Sequence, residues 1–264
     1  MPKIGIREGM LTKRGADFVD EAAALGSGVL EALLRPGEEA GAWGGADGRA
    51  EYRARAERRG LAISSICLGF LNALPLGGQG ARSERGLALL EEGIDWAVEL
   101  GADAILVPFF GLATLRTPDD AQRLVARIRR LAPKAEAAGV TLGLESTLSA
   151  HAVLAILDAI DSPHVGCYWD TGNSVAQGAD PAEEIRLLGA RIVRVHLKDR
   201  MRSGADRMLG EGQVNFSQVA FELRRAGYRG PLVLETPKGS DAVDAARRNL
   251  AFAQGIFQSE RCFL

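Results

Sequence analysis

The chain has 264 residues, of which 47% are hydrophobic and 25% charged, with a formal net charge of −2 at pH 7. The length suits one α/β barrel with a large buried core, and the composition is that of an ordinary globular protein. The near-neutral balance gives no general attraction to nucleic acid or anionic membrane, and neither is expected as a partner.

Short apolar runs alternate with amphipathic stretches along the whole chain. Lys3–Arg7 reads as a strand and Gly15–Leu25 as a helix. Gly28–Leu34 and Asp47–Arg59 repeat the pair, with the Gly/Ala-rich stretch Pro36–Gly48 read as a mobile loop between them. Ala62–Phe70 and Ser83–Leu100 follow, then Ala104–Phe110 and Pro118–Ala138, and then Val140–Glu145 and Ser149–Ile160. The last three pairs are Val165–Asp170 with Pro181–Leu188, Ile192–His196 with Asn215–Ala226, and Leu232–Glu235 with Asp241–Phe257. The strand runs are rich in Val, Ile and Leu without alternation, as in a parallel sheet covered on both faces. Gly60, Gly101, Gly139, Gly189 and Gly227 stand where helices end, and Pro118 and Pro181 where helices begin.

Strict β/α alternation admits an open doubly wound sheet or a closed barrel. The open sheet needs a glycine fingerprint after the first strand, but Arg7-Glu8-Gly9-Met10 stands there. The expectation is a single (β/α)8 TIM barrel spanning residues 1–264 as one domain.

Cys67, Cys167 and Cys262 are sparse, odd in number and widely spaced, which gives no disulfide framework and fits a reducing cytoplasm. The N-terminus lacks a basic segment followed by an apolar stretch, so no targeting signal is expected. The uncharged stretch Gly60–Ala81 contains Ser64, Ser65, Asn72 and Pro75, and reads as a buried strand plus a loop rather than a membrane span.

Functional groups of such a barrel sit at the C-terminal ends of its strands. Four successive strands end in a metal-binding side chain: Leu144-Glu145, Trp169-Asp170, Val195-His196 and Leu234-Glu235. Three carboxylates facing one mouth repel one another and resist ionisation unless a cation joins them. Three oxygen donors and one imidazole suit Mn²⁺, and also Mg²⁺, Co²⁺ or Zn²⁺. The plain alternative is four unrelated strand-end groups, each solvated or paired with an arginine.

Gly143-Leu144-Glu145, Tyr168-Trp169-Asp170-Thr171-Gly172-Asn173, Val195-His196-Leu197-Lys198-Asp199, Leu209-Gly210-Glu211-Gly212 and Leu234-Glu235 occur in an order and spacing that resemble the xylose-isomerase-like sugar isomerase/epimerase superfamily. This superfamily includes ketose 3-epimerases, hydroxypyruvate isomerase and inositol-catabolic enzymes. The likeness runs along the whole chain and is strongest from residue 140 onward. It implies one metal ion, usually Mn²⁺, held by Glu145, Asp170, His196 and Glu235, with Glu145 and Glu235 doubling as acid/base groups. It also implies a substrate contact from Arg202, six residues after the histidine. Two positions depart from the family pattern: Asn173 stands where epimerases commonly carry histidine, and His151 where they carry glutamate. Asn173 still offers hydrogen bonds to a hydroxyl.

The implied chemistry is a sugar or polyol chelated through two adjacent oxygens, with a carbonyl polarised by the ion and an enediolate formed by proton loss to a glutamate. Lys198 and Asp199 either orient the histidine, bind a sugar hydroxyl or form a surface ion pair. His151 is expected to open the fifth helix near the mouth, as a substrate contact or, the favoured reading, as a solvated helix-start residue. Asn72 and Glu31 either line the mouth or serve the structure.

Alternatives are a dehydratase of a keto-inositol-like substrate, a catalytically silent sugar-binding barrel, and a phosphodiesterase resembling abasic-site endonucleases. Three histidines and no basic excess argue against the last. Trp96 is expected in the core and Trp169 on the outer wall, and Trp43 stands in a loop for which a lid over the site is the lesser of two readings. Gly77-Gly78-Gln79-Gly80, with Arg82, is a weak phosphate-cradle motif. The apolar end Phe257…Phe263-Leu264 can pack on its own barrel or on a second copy, which leaves a homo-oligomer open.

Overall fold

The computed structural model of the chain describes residues 1–34 and 45–259. Trp43, most of the expected loop after the second strand, Cys262, Phe263 and Leu264 lie outside the described residues.

The strands are β1 (Ile4–Arg7), β2 (Val29–Leu33), β3 (Ala62–Cys67), β4 (Ala104–Phe109), β5 (Thr141–Ser146), β6 (Val165–Asp170), β7 (Ile192–Leu197), the short β8 (Asp199–Arg200) and β9 (Asp206–Arg207), and β10 (Leu232–Leu234). The helices are α1 (Ala16–Ala24), α2 (Ala46–Arg58), α3 (Ala81–Leu100), α4 (Pro118–Ala137), α5 (Ala150–Ile160), α6 (Thr171–Ala176), α7 (Pro181–Leu188), α8 (Phe216–Arg225) and α9 (Ala242–Phe257). β1 to β7 and β10 close into a parallel barrel in the order β1-β10-β7-β6-β5-β4-β3-β2. This is the (β/α)8 barrel that the alternation predicts.

Apolar strands form this barrel because both of their faces are covered. Along β6, Tyr168 and Asp170 turn inward, while Trp169 turns to the helical layer and donates its indole N–H to Glu184 of α7 at 3.0 Å. Trp169 thus packs the outer wall, and Trp96 packs against the core with the Arg49 guanidinium 5.5 Å from its ring centre. Cys67 and Cys167 are free and buried.

Helix ends follow the sequence signals. Thr117 and Asp120 form a reciprocal cap at the start of α4, with Pro118 in its first turn. Gly101 ends α3 in the left-handed conformation, φ 71°, which a side chain would strain.

Two elements had no counterpart in the sequence pattern: α6, which begins directly at the end of β6, and the antiparallel hairpin β8–β9. The glycine loop after β3 presents carbonyls rather than amides to charged groups. Arg123 takes the Gly77 oxygen at 2.7 Å, and Arg127 takes those of Leu76 at 2.5 Å and Gly78 at 2.7 Å, which straps the loop to α4. Among the described residues, no helix is long and apolar enough to cross a membrane.

Candidate metal centre

Glu145 on β5, Asp170 at the end of β6, His196 on β7 and Glu235 just after β10 offer ligand atoms that all lie within 4.8 Å of one another. Parallel register brings them to one height: Asp170 pairs with His196 across β6 and β7, and Val233 pairs with His196 across β10 and β7. The Glu235 amide continues the ladder by donating to the Leu197 carbonyl at 3.1 Å. His196 and Asp170 are buried, Glu145 nearly so, and the Glu235 side chain is 20% exposed towards the mouth.

His196 Nδ1 lies 3.2 Å from Glu235 Oε2, 3.4 Å from Glu145 Oε1 and 4.0 Å from Asp170 Oδ2. Asp170 divides its work. Its Oδ1 accepts the Asn173 amide at 2.7 Å and caps α6, while its buried Oδ2 has no hydrogen-bond partner. A desolvated carboxylate oxygen without a donor is costly. A divalent cation among three carboxylates and one imidazole is the partner this donor set suits.

Crowding of like charge is visible in the proton affinities. Burial, together with Glu145 and Glu235, outweighs Lys198 and raises the Asp170 carboxyl to about 7. Burial also pushes Glu235 upward, but Arg7, His196 and Lys198 outweigh it and hold that carboxyl well below the usual range. For His196 burial opposes the charged ring, and Glu31 and Glu235 override it, so the imidazole is raised well above its ordinary value.

Above these groups opens a cavity of about 300 Å³. Arg7, Lys198 and Arg200 form a cationic side; Leu106, Pro108 and Phe110 form an apolar side; Asn72, Thr147 and Asn173 add neutral polar groups. Lys198 Nζ donates to Glu235 Oε2 at 3.0 Å, and Arg7 Nη1 donates to Glu235 Oε1. Gly172 makes room for this lysine, since a Cβ there would sit 2.8 Å from the Lys198 side chain. A larger apolar groove of about 580 Å³ lies outside the barrel between α4 and α5, away from the carboxylate cluster.

Of the residues expected to touch substrate, Asn173 and Lys198 line this cavity. Three others are placed elsewhere. Asp199 is fully buried and accepts the amides of Gly210, Gly212 and Val214 at 2.9, 2.8 and 3.1 Å, so it clamps the following loop and presents nothing to a sugar. That clamp accounts for the Leu209-Gly210-Glu211-Gly212 pattern, because a Cβ at Gly212 would meet Asp199 Oδ1 at 2.1 Å. Arg202 is exposed beyond the β8–β9 strand residue Arg200, which takes the cavity position instead. His151 is exposed in the first turn of α5 and does not line the cavity.

Arg7, Arg200, Thr147 and Tyr168 are polar residues around the centre that the sequence reading did not name, and Glu31 is one that it left open between the mouth and a structural role. Arg7 ends β1 as Glu145 ends β5, so the strand-end rule applied to β1 would have found it. Tyr168 stands two residues before Asp170 and shares its inward face by the strand period.

Comparisons with known proteins agree with this architecture. Residues 19–256 match the family model described as xylose isomerase-like TIM barrel. The chain is 30% identical over 227 residues to 2-epi-5-epi-valiolone 7-phosphate 2-epimerase of Actinoplanes sp., covering 84% of this chain and 82% of that enzyme. It is 27% identical over 185 residues to L-ribulose-5-phosphate 3-epimerase of Escherichia coli, covering 67% of this chain and 65% of that one. Among solved structures, D-psicose 3-epimerase of Clostridium cellulolyticum H10 superposes with a TM-score of 0.81 at 18% identity, covering 97% of this chain and 99% of that chain.

Proposed function

Because the chain belongs to the xylose isomerase-like TIM barrel family, we propose that it is a divalent-metal-dependent isomerase or epimerase of a small sugar, sugar phosphate or keto-polyol, with the whole chain serving as one barrel domain. The observation that carries this reading is the meeting of Glu145 and Glu235 with Asp170 and His196 around an Asp170 oxygen that lacks a hydrogen bond, at the floor of an open cavity. The relatives that act as sugar-phosphate epimerases support the reaction class.

Glu145, Asp170, His196 and Glu235 would hold the ion, with Mn²⁺ the best match and Mg²⁺, Co²⁺ or Zn²⁺ also suited to the donors. The ion supplies Lewis-acid stabilisation of the negative charge that develops when a carbon beside a carbonyl loses its proton. The chain's own residues move that proton. Glu145 stands on β5, beside β6, and Glu235 just after β10, beside β7, so the two carboxylates would reach a substrate above His196 from different sides. One removes the proton to leave an enediolate. Return from the other on the opposite face inverts the centre, and return to the neighbouring carbon, with the hydroxyl proton passing to the former carbonyl oxygen, exchanges aldose and ketose. Lys198 and Arg7 brace Glu235 by direct hydrogen bonds, which fixes the direction from which it meets the carbon acid. Arg200, Asn173, Asn72 and Thr147 are placed for sugar oxygens, and Phe110 for a carbon face.

The test is solvent exchange. Ketoses, aldoses and their phosphates are incubated with Mn²⁺-loaded protein in ²H₂O and followed by NMR. The expected result is deuterium at the carbon beside the carbonyl of at least one substrate. Glu145→Gln and Glu235→Gln should each slow this exchange by about 10²-fold or more, the scale of general acid–base catalysis. Exchange that survives both substitutions would refute the assignment of the pair.

A further inference from the structure

Below the candidate centre, inside the barrel, Glu31 is a carboxylate that the proposed reaction leaves unused. It sits on β2 and is fully buried. Oε1 lies 3.0 Å from His196 Nε2 and 3.2 Å from Arg7 Nε. Oε2 accepts the Ser65 hydroxyl at 2.8 Å and the Tyr168 hydroxyl. The Tyr168 ring also lies against the imidazole, with centroids 4.6 Å apart at a tilt of 56°.

An ionised carboxylate only accepts, so the His196 nitrogen facing it carries the hydrogen. Nε2–H is therefore committed downward to Glu31. Nδ1 faces upward, 3.2 Å from Glu235 and 3.4 Å from Glu145, and there an ion can take the place of its hydrogen. We infer that Glu31 is a positioning residue for the metal centre: it fixes the tautomer and ring plane of His196 so that the Nδ1 lone pair faces the ion.

A mere filler at this place would be apolar. A buried charge survives there only because three hydrogen-bonding groups and the Arg7 guanidinium compensate it, and one of these is the ring of a ligand. Ser65 and Tyr168 in turn hold the carboxylate in place. Arg7 joins it to the rim, since the same guanidinium contacts Glu31 and donates to Glu235.

This inference rests on the proposed metal site, and its test separates the two. Mn²⁺ is titrated calorimetrically into the full chain and into the variants Glu31→Gln, Tyr168→Phe, His196→Ala, Glu31→Gln/His196→Ala and Tyr168→Phe/His196→Ala. Glu31→Gln should weaken Mn²⁺ binding roughly 10- to 100-fold, the usual cost of losing such an outer partner. Tyr168→Phe should cost less. In the His196→Ala background neither change should weaken binding further, because the carboxylate acts through the ring. A second readout is long-range ¹H–¹⁵N NMR of the Zn²⁺-loaded protein with labelled histidine. It should show Nδ1 bound to metal and Nε2 protonated, with that proton moving upfield in Glu31→Gln. Should Glu31→Gln fail to fold, Tyr168→Phe with and without His196 carries the same comparison. Unchanged affinity in Glu31→Gln, equal losses with and without His196, or metal on Nε2 would each overturn the inference. A wild-type chain that binds no divalent ion would instead overturn the metal site itself.

Discussion

Arg200 and Arg202 stand two residues apart, yet only one can serve the cavity. Arg200 lies on β8, with Nη1 donating to Asn173 Oδ1 at 3.1 Å, and its side chain lines the mouth. Arg202 lies past the strand, where its backbone amide donates to Gln213 Oε1 at 2.7 Å and its side chain enters solvent. Loss of a charge-assisted contact costs about 1.5–3 kcal/mol. Arg200→Met should therefore lower kcat/KM roughly tenfold or more on the substrate identified by exchange, and Arg202→Met should leave it near wild type. Steady-state kinetics of the pair decide it, and the reverse ranking would return the role to Arg202. The family spacing pointed to Arg202 because spacing counts residues, whereas a two-residue strand and its turn decide which way each one faces. Cys67 makes a second claim at this scale. Burial pushes its thiol up to about 11, and burial raises Cys167 as well, so little thiolate exists near pH 8. Iodoacetamide followed by peptide mapping should find both unmodified in the native protein and alkylated after denaturation; rapid native labelling of Cys67 would show an open, activated thiol instead.

The elements that the sequence made legible are those whose burial imposes a period. Strands buried on both faces and helices with one apolar stripe announce themselves over five to twenty residues, which is why their ends fall within a few positions of expectation. α6 has six residues and β8 and β9 have two each, too few for any period. What forms them is specific polar bonding: Asp170 caps the first, and Asp199 gathers the loop that follows the hairpin. Removing the Asp199 carboxylate would leave the amides of Gly210, Gly212 and Val214 without their acceptor. At about 1–3 kcal/mol per unsatisfied buried group, and with water reaching part of the loop, Asp199→Ala should cost roughly 3 kcal/mol. In a chain of this size that lowers Tm by about 6–12 °C. Thr117→Ala removes one side of the α4 cap and should cost only about 1 kcal/mol, or about 2–4 °C. Calorimetry on both variants checks the ranking; an Asp199 variant as stable as wild type would place that carboxylate elsewhere than in the clamp.

At the scale of the whole molecule, closure of the barrel turns a one-dimensional pattern into a site. Eight parallel strands in one ring bring all their C-terminal ends to one rim, so residues far apart in sequence, such as Glu145 and Glu235, meet without any motif that links them. This made the rim legible from strand ends alone. The interior below it was not legible, because the contact of Glu31 with His196 and Tyr168 depends on which layer of the closed ring each side chain enters, and that is set by register and shear. The central claim concerns the rim, and metal stoichiometry tests it most directly. The chain is stripped with chelator, re-equilibrated with Mn²⁺, freed of excess ion, and assayed for metal per chain and for Tm, beside the His196→Ala variant. The account predicts one ion per wild-type chain, little or none in the variant, and, in a parallel sample kept with free metal 100-fold above Kd, a gain of about 2.7 kcal/mol in stability. No retained ion, and no rise in Tm with Mn²⁺, Mg²⁺, Co²⁺ or Zn²⁺, would contradict it.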